Sequence, residues 1–358
     1  MGGFLRRIDL QLVIPVLVLI GISLTTLFSV NIAYFRNQLI FFILGTGIFL
    51  FFTNVDFSFL EELKRPIYLV SFAGLLVLLF LGFEARGAAR WLDFFGLRLQ
   101  FSEVFKPFLA VAMSSFLAKK EKTLTTVGVL SLFLLPIVFL IYKQPDLGSA
   151  LMYLFSVLLT LLIIGYSWRY FAVLLGAVLL GAPLIFRFLH GYQQTRILTF
   201  LHLTNDPLGS SYNSIQAIIA IGSGMFLGKG LGQGTQSGLK FLPEQHTDFI
   251  FATLSESLGF IGAMVVIVAA GFLLYRLYHI AKESNNASEK ICIIATFSLL
   301  FLQFFINIGM NIGLLPIVGV PLPFVSYGGS SLLSNAIFLG IASSIGASSK
   351  TTSALEIR

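Results

Sequence analysis

The chain has 358 residues, of which 57% are hydrophobic and only 11% are charged. A typical globular domain has about 25% charged residues, so this composition excludes most soluble architectures, an intrinsically disordered chain and a secreted disulfide scaffold. The net charge of +7 comes from 23 Lys and Arg against 16 Asp and Glu, and because the basic residues are spread between apolar runs, a nucleic-acid-binding domain is excluded as well.

The apolar runs predict an all-α, polytopic membrane protein. A bilayer core about 30 Å thick requires about 20 apolar residues in each helix that crosses it. The first run is too long for a signal-peptide core and lacks a small-residue cleavage site after it, so we expect it to remain in the protein. Ten runs meet the length requirement, and we expect them to form one transmembrane domain over residues 1–358: 11–34, 37–53, 66–83, 102–118, 124–142, 147–164, 169–189, 248–278, 288–313 and 327–347.

The positions of Lys and Arg predict the orientation of these spans, because short cytoplasmic loops are enriched in both residues. With ten spans and a cytoplasmic N-terminus, both termini are cytoplasmic and every even-numbered span begins at the outer face. This orientation places 13 of the 23 basic residues on the cytoplasmic side: Arg6, Arg7, Lys64, Arg65, Lys119, Lys120, Lys122, Arg169, Arg276, Lys282, Lys290, Lys350 and Arg358.

The long connection in this topology is the outer loop between spans seven and eight, residues 190–246. Within it, we expect residues 211–226 to form an amphipathic helix at the outer interface. The Gly-rich stretch 228–238 is expected to be flexible, on its composition. The helix is predicted from apolar residues near helical spacing: Ile215, Ile218, Ile219, Met225 and Phe226.

Polar residues collect where the even-numbered spans begin. The N-terminus of a helix offers backbone N–H groups and partial positive charge, which together with Arg and Lys side chains suit a phosphate or pyrophosphate. For the glycines of the last span, Gly328 and Gly329, close helix packing is the alternative. The residues that we expect to bind substrate at these ends are Arg98, Gln100, Glu103, Lys106, Asp146, His246, Ser326, Gly328, Gly329 and Ser330.

Lys106 and Glu256 are ionisable residues inside predicted spans, where a charge is costly and therefore marks a functional candidate. Lys106 lies about one turn inside the fourth span, three residues after Glu103, and the alternative is a structural ion pair between these two side chains. Glu256 lies in the eighth span and is also a candidate for substrate binding. Burial of its carboxylate requires a partner, which the sequence does not identify.

Asp248 is the strongest single candidate for catalysis. A partly desolvated carboxylate at the mouth of an outer cavity can act as a general base toward a sugar hydroxyl. The alternative is that Asp248 caps the N-terminus of span eight, although Thr247 would serve equally well there. His246 is expected to be a hydrogen-bonding neighbour and not a metal ligand, because no second His or Cys stands at ligand spacing.

These motifs resemble one family, the SEDS (shape, elongation, division and sporulation) membrane proteins, over nearly the whole chain. Within the family the chain is most similar to the elongation-specific branch, and the division-specific and sporulation-specific branches stay open as alternatives. The matching segments are RWL at 90–92 with QFSE at 100–103 and Lys106, QPDLGS at 144–149, NDPLG at 205–209, GTQSGLKFLPEQHTDFIF at 234–251 and PLPFVSYGGSS at 321–331.

The resemblance implies an inverting peptidoglycan glycosyltransferase that polymerises lipid II in the bacterial inner membrane, with its active site facing outward. It implies that Asp248 is the catalytic base on the GlcNAc 4-hydroxyl of the acceptor, which attacks the MurNAc anomeric carbon of the donor and expels undecaprenyl pyrophosphate. Arg98, Lys106 and Arg196 are the candidates to hold the charge of the leaving group. A divalent cation, Mg²⁺ or Mn²⁺, could also neutralise it, but the sequence contains no clear metal site.

The implied partners are a class B penicillin-binding protein of the PBP2 type, which would supply the transpeptidase, and other membrane proteins of the elongation complex. No nucleic-acid partner is expected. Two other functions fit the residues. An amphiphilic cavity beside buried charges would also suit a transporter that flips lipid-linked oligosaccharide, and a non-catalytic scaffold for wall synthesis would leave Asp248 and Lys106 dispensable.

Overall fold

The computed structural model describes residues 7–81, 83–85, 88–94, 97–189, 191–201, 212–239 and 241–356. In chain order, the helices of this part of the chain are α1 (Leu10–Val30), α2 (Ile32–Asn54), α3 (Phe57–Glu62), α4 (Lys64–Leu81), α5 (Phe101–Val104), α6 (Lys106–Leu117), α7 (Leu124–Lys143), α8 (Leu147–Ile163), α9 (Trp168–Phe188), α10 (Gly191–Phe200), α11 (Tyr212–Ser223), α12 (Thr235–Gly238), α13 (Ile250–Glu283), α14 (Ala287–Asn311) and α15 (Gly329–Glu356). Helix thus occurs in each of the ten predicted spans.

Six helices of the described residues are long and apolar enough to cross a membrane: α1, α2, α7, α13, α14 and the Gly329–Ser349 part of α15. Two further apolar helices are shorter, at Leu147–Ile163 and Trp168–Leu184. The chain is therefore a nearly all-helical, multi-pass membrane protein. The count of ten spans and their orientation stay predictions.

The expectation of an all-α fold is corrected by a small antiparallel sheet between α4 and α5. Its strands are β1 (Phe83–Ala85), β2 (Ala88–Phe94) and β3 (Leu97–Gln100), in the order β1-β2-β3. β3 alternates Leu with Arg and Gln, which is the period of a strand. A search for apolar runs of about 20 residues does not detect elements this short.

The core of the bundle is formed by α13, α14 and α15, against which α1 and α2 pack. α15 is the most enclosed of the six candidate spans, with 94% of its apolar window buried, whereas α2 has 17% of its window buried. α15 therefore lies at the centre of the bundle and α2 at its edge. This arrangement brings the loop that precedes α15 to the middle of one end of the molecule.

α13 is interrupted at Gly259, whose φ of 68° and ψ of −164° are not helical. The outer-loop segment 225–230 completes the backbone hydrogen bonds at this break. The N–H groups of Phe260 and Ile261 donate to the carbonyls of residues 225 and 226, at 2.9 and 3.3 Å. On the other side of the break, the N–H groups of Lys229 and Gly230 donate to the carbonyls of residues 256 and 257, at 2.9 and 3.0 Å.

This close approach requires glycine in residues 224–230, which we call the strap. A Cβ on Gly228 would lie 2.3 Å from the Ser257 carbonyl oxygen, and one on Gly224 would lie 2.0 Å from the Ser255 carbonyl oxygen. Backbone N–H and C=O groups within a membrane must be hydrogen-bonded to other protein groups. The strap supplies these hydrogen bonds at the break in α13, where lipid cannot. The Gly-rich stretch expected to be flexible is therefore partly bonded to α13.

α11 ends at Ser223, because the chain must turn at Gly224 to reach α13. It is shorter than the predicted 211–226, whose residue 211 lies outside the described residues, and Met225 and Phe226 fall in the turn that follows. Ala217 and Ala220 are buried on one face of α11, and Ile218 is 48% exposed on the other. A location at the membrane interface stays a prediction.

Candidate active site

Two loops meet at the end of the bundle: residues 243–249, which precede α13, and residues 321–328, which precede α15. The Ser326 hydroxyl links them, since it donates to the Thr247 carbonyl at 2.7 Å and accepts from the Leu322 N–H at 2.8 Å. The Tyr327 N–H adds a second link by donating to the His246 carbonyl at 2.9 Å. Ser326, a predicted substrate contact, is 5% exposed and joins the two loops.

Asp248 belongs to the first of these loops and is partly exposed. Its main-chain carbonyl accepts hydrogen bonds from the side-chain amides of Asn307 and Asn311 in α14, at 3.1 and 3.0 Å. Both asparagines are fully buried. The N-cap residue of α13 is Phe249, so Asp248 does not occupy the capping position that was the alternative interpretation. The backbone of Asp248 is thus held from below by α14.

The segment 317–320 connects Asp248 to other predicted site residues. A Cβ placed on Gly319 would lie 3.5 Å from Asp248 Oδ2, so the carboxylate lies beside this glycine. The Arg196 guanidinium, carried by α10, donates to the Ile317 carbonyl at 3.2 Å. The predicted base and the predicted phosphate ligand therefore contact the same short segment, at Gly319 and at Ile317.

The same segment packs against the N-terminus of α8 and is bonded to α14. A Cβ on Gly148 would lie 2.5 Å from the Val318 carbonyl oxygen, so this position has no room for a larger residue. The Val320 carbonyl accepts from the Asn307 amide at 2.7 Å. Asn307 thus holds both Asp248 and the segment beside it.

Three predicted substrate contacts, one each from spans four, six and ten, form one hydrogen-bonded network. The Gln100 amide donates to Asp146 Oδ2 at 2.6 Å. Asp146 is the N-cap of α8, where its carboxylate accepts from the Ser149 N–H at 3.0 Å. The Ser330 hydroxyl accepts from the Gln100 N–H at 2.7 Å. Gln100, Asp146 and Ser330 therefore lie together, and the hydrogen bonds described here join them to one another and to Ser149.

Gly328 and Gly329, at the start of α15, contact α2, which agrees with the alternative interpretation of close helix packing. The Gly328 N–H donates to the Gln38 side chain at 3.3 Å, and a Cβ on Gly329 would lie 2.2 Å from the Phe41 ring. Both contacts come from α2. An N–H bonded to a side chain and a glycine covered by a ring do not form an open anion site, so the structure does not support the substrate-binding interpretation of these two residues.

Glu103 and Lys106 form the buried ion pair that was the structural alternative, with exposures of 5% and 2%. Arg98 lies in β3, paired across the ladder with Asp93, and its side chain falls outside the described residues. Arg196 thus binds the segment that also contacts Asp248, whereas Lys106 is held by Glu103.

Glu256 is fully buried and has the partners that the sequence did not identify. Its carboxylate accepts from the N–H groups of Gln236 and Ser237, both at 2.9 Å, and from the Ser237 hydroxyl at 2.8 Å. Lys229 adds an ion pair at 3.5 Å. Because protein donors surround this carboxylate, Glu256 anchors the outer loop to α13, and the structure does not support its assignment to substrate binding.

Two site residues in α2 were not predicted. Tyr34 stacks on the His246 ring, with centroids 4.1 Å apart and an interplanar angle of 5°. Gln38, fully buried, donates to the Ser326 carbonyl at 3.2 Å. Tyr34 and Gln38 are four residues apart and therefore lie on the same face of α2. The sequence signal that could have identified Gln38 is an amide side chain inside an apolar run. His246, two residues before Asp248, accordingly stacks on an aromatic ring of α2.

The NDPLG motif at 205–209 and Lys240 lie outside the described residues. Within the part of the chain that the structure describes, no three His, Cys, Asp or Glu side chains cluster in a way that could hold a metal ion. The donors present thus do not form a protein metal site, and Mg²⁺ or Mn²⁺ stays a prediction.

Comparison with known proteins gives one consistent result. The family model for FtsW, RodA and SpoVE, described as cell cycle proteins, matches residues 4–351. The peptidoglycan glycosyltransferase MrdB of Escherichia coli K12 is 40% identical over 267 residues, which cover 74% of this chain and 72% of that protein. MrdB of Helicobacter pylori is 34% identical over 340 residues, covering 92% and 86%.

Solved structures agree with these relatives. A chain of a peptidoglycan synthase complex that coordinates polymerization and crosslinking superposes with a TM-score of 0.82 at 28% identity, covering 95% of this chain and 98% of that one. The rod shape determining protein RodA of Thermus thermophilus superposes with a TM-score of 0.72 at 26% identity, covering 94% and 96%. The resemblance to the elongation-specific branch, whose members include RodA, is confirmed.

Proposed function

The chain belongs to the FtsW, RodA and SpoVE family and is a peptidoglycan glycosyltransferase, and we propose that Asp248 is the general base of its reaction. One arrangement carries this proposal. The Asp248 carboxylate lies beside Gly319, and Arg196 binds the carbonyl of Ile317 in the same segment. A base and a cation that contact the same segment suit a reaction that takes a proton from one substrate and releases a phosphate from the other.

The proposed reaction joins two lipid-linked glycans. The Asp248 carboxylate takes the proton of the GlcNAc 4-hydroxyl of the acceptor. The hydroxyl oxygen forms a bond to the MurNAc anomeric carbon of the donor while the bond from that carbon to the pyrophosphate oxygen breaks. Attack from the opposite face inverts the anomeric centre. Undecaprenyl pyrophosphate takes the electron pair and leaves, so a second, acidic carboxyl of the glycosidase kind is not required.

The hydrogen bonds to the backbone of Asp248 support its proposed role as the base. Two buried amides on α14 hold the Asp248 carbonyl, so the loop that carries the carboxylate is tied to a helix at this residue. Catalytic groups must be held close to the productive geometry, and sites carried by helices are more exact than sites on loops. This rigidity is what a base that must reach one hydroxyl requires.

Arg196 is the first candidate for the pyrophosphate. A guanidinium presents five N–H donors in a planar fork and binds phosphate in a bidentate manner. Lys106 is bound to Glu103 and buried, so its contact with phosphate would require that pair to separate. Arg98 remains a candidate on the resemblance alone.

The same proposal includes the topology and the partner. Ten spans with both termini in the cytoplasm follow from the distribution of Lys and Arg, and they place Asp248 on the outer side of the inner membrane. A class B penicillin-binding protein fits as partner, since a structural neighbour is a chain of a synthase complex that both polymerizes and crosslinks. Other elongation-complex proteins stay predictions on the resemblance.

The proposal is tested with purified protein and fluorescent lipid II, by following glycan chains on gels. Asp248→Asn removes the base and should lower the polymerisation rate by at least about 100-fold. Glu244→Gln, four residues earlier in the same loop, is the matched control and should keep most of the activity. Full activity in Asp248→Asn would exclude the mechanism, and transbilayer movement of lipid II in liposomes without polymerisation would favour the flippase.

A further inference from the structure

A cavity of about 730 Å³ lies between α4, α6, α7 and α8, apart from the loops that carry Asp248. It follows α6 from Lys106 to the residues just beyond its C-terminus. α6 has 12 residues, so the cavity extends along about 18 Å of helix. Its walls are mostly apolar, and include Leu109, Met113, Leu130, Leu134, Val157 and Leu299.

The polar side chains inside this cavity already have protein partners. The Tyr153 hydroxyl donates to the Ser102 carbonyl at 2.6 Å, and the Tyr68 hydroxyl donates to the Phe133 carbonyl at 2.9 Å. Ser115 and Ser156 bond to carbonyls of their own helices. A soluble polar metabolite would therefore lose its hydration and gain few hydrogen bonds in return.

One end of the cavity is cationic. Lys64 and Arg65 line it at the start of α4, and Lys119 and Lys120 line it after the end of α6. None of the described lining residues is acidic. The Lys119 ammonium is 3.6 Å from a Glu61 carboxylate, which offsets one of the four charges. Arg65 and Lys120 are exposed at the surface, where a negative group can approach them.

An apolar cavity with a cationic mouth matches an amphiphile that has an anionic head and hydrocarbon chains. Basic pockets between transmembrane helices recognise the head groups of anionic lipids. We propose that this cavity binds an anionic glycerophospholipid, with its phosphate at Arg65 and Lys120 and an acyl chain between α6, α7 and α8. The mouth lies at the opposite end of α6 from Lys106, and none of the described residues that line the cavity comes from the loops 243–249 and 321–328.

The proposed lipid would support the inner wall of the bundle. Its chain would reach Lys106 and Tyr153, and the Tyr153 hydroxyl binds the carbonyl of Ser102 in α5. An occupied cavity fills space that otherwise lacks packing partners, and unfilled apolar volume weakens a folded protein. We therefore expect bound lipid to raise the thermal stability of the protein as well.

The experiment measures retained lipid by native mass spectrometry after exposure of the detergent-purified protein to phosphatidylglycerol, phosphatidylcholine or undecaprenyl phosphate. The wild type should retain phosphatidylglycerol in preference to the other two. In Arg65→Gln/Lys120→Gln this retention should weaken about 30-fold, because each surface cation contributes a factor of about five. The double variant Lys282→Gln/Lys290→Gln, which loses the same charge at exposed positions away from the cavity, is the control and should bind as the wild type does.

A second measurement tests the location of the chain. Phosphatidylglycerol with a photoreactive acyl end should label peptides from α6 and α7, and Ala112→Phe, which fills the cavity, should abolish this labelling. Equal retention by the Arg65→Gln/Lys120→Gln and Lys282→Gln/Lys290→Gln variants would overturn the proposal. So would labelling confined to other helices, or a preference for undecaprenyl phosphate, which would assign the cavity to a polyprenyl lipid.

Discussion

Asn311 binds the backbone of Asp248, since its amide nitrogen donates to the Asp248 carbonyl at 3.0 Å. The other end of the same amide accepts from the Ala252 N–H at 3.1 Å, so one side chain joins the loop to the first turn of α13. Asn311 is fully buried and does not depend on solvent for either bond. It is a positioning residue for the proposed base.

The first prediction concerns this position. Asn311→Asp keeps the acceptor for Ala252 but turns a donor into a carboxylate oxygen that faces the Asp248 carbonyl. We expect kcat to fall by about 100-fold with little change in KM, because a small displacement of a catalytic group costs about that factor. The measurement is steady-state polymerisation of lipid II.

Asn54→Asp provides the control for Asn311→Asp. Asn54 is exposed, and its amide donates to a carbonyl of its own helix at 2.7 Å, so its replacement should leave both constants unchanged. A purely structural role for Asn311 would lower the amount of folded protein and leave the kcat of that fraction intact. That result would contradict the prediction.

The second prediction concerns Gly148. A methyl group at this position would lie 2.5 Å from the Val318 carbonyl oxygen, so Gly148→Ala must displace the segment beside Asp248. We expect about 1–3 kcal/mol lower stability, as in other overpacked interiors, and activity reduced by more than tenfold. Gly128→Ala in α7 is the control, since nothing lies within 4 Å of its added methyl. Equal activity in the two variants would show that this contact does not shape the site.

The third prediction concerns the carboxylate that anchors the outer loop. Glu256→Gln removes the charge that accepts from Gln236, Ser237 and Lys229 and places an NH₂ group among these donors. Hydrogen bonds to charged groups contribute about 1.5–3 kcal/mol each, so we expect a loss of about 3 kcal/mol. Thermal unfolding measures this loss, and limited proteolysis within 229–239 should become faster.

Glu62→Gln, an exposed residue at the end of α3, is the matched control for the anchor. Its melting temperature and cleavage pattern should equal those of the wild type. If Glu256→Gln lost polymerisation while its stability and its protease resistance stayed unchanged, the structural role would be excluded and Glu256 would return to the list of substrate contacts.

The fourth prediction separates the two possible uses of His246. Its ring stacks on Tyr34, and such aromatic contacts contribute about 0.5–1.5 kcal/mol. We expect His246→Phe to keep the stack and most of the activity, and His246→Ala to lose about tenfold. The pH profile of polymerisation in His246→Phe should match that of the wild type. An equal loss in both variants, or a shifted profile, would assign a role to the ring nitrogens.

Local properties of the chain sufficed for its helices, its family and its leading candidate for catalysis. Hydrophobicity and span length act over about 20 consecutive residues, so helix occurs in each predicted stretch. The runs at 234–251 and 321–331 led to the family, and Asp248 was found inside the first of them. The short sheet was missed because its strands are only three to seven residues long.

Tertiary structure alone decided which polar residues act together. Asp248 depends on Asn307 and Asn311, about 60 residues away, and Gln38 reaches a loop 288 residues later. Hydrogen bonds between residues so distant leave no periodic trace in the sequence. Glu256 could be identified as a carboxylate that needs a partner, because burial of its charge is costly in any fold. The identity of its donors depends on the tertiary structure, because the outer loop that carries them packs against α13 at the break at Gly259.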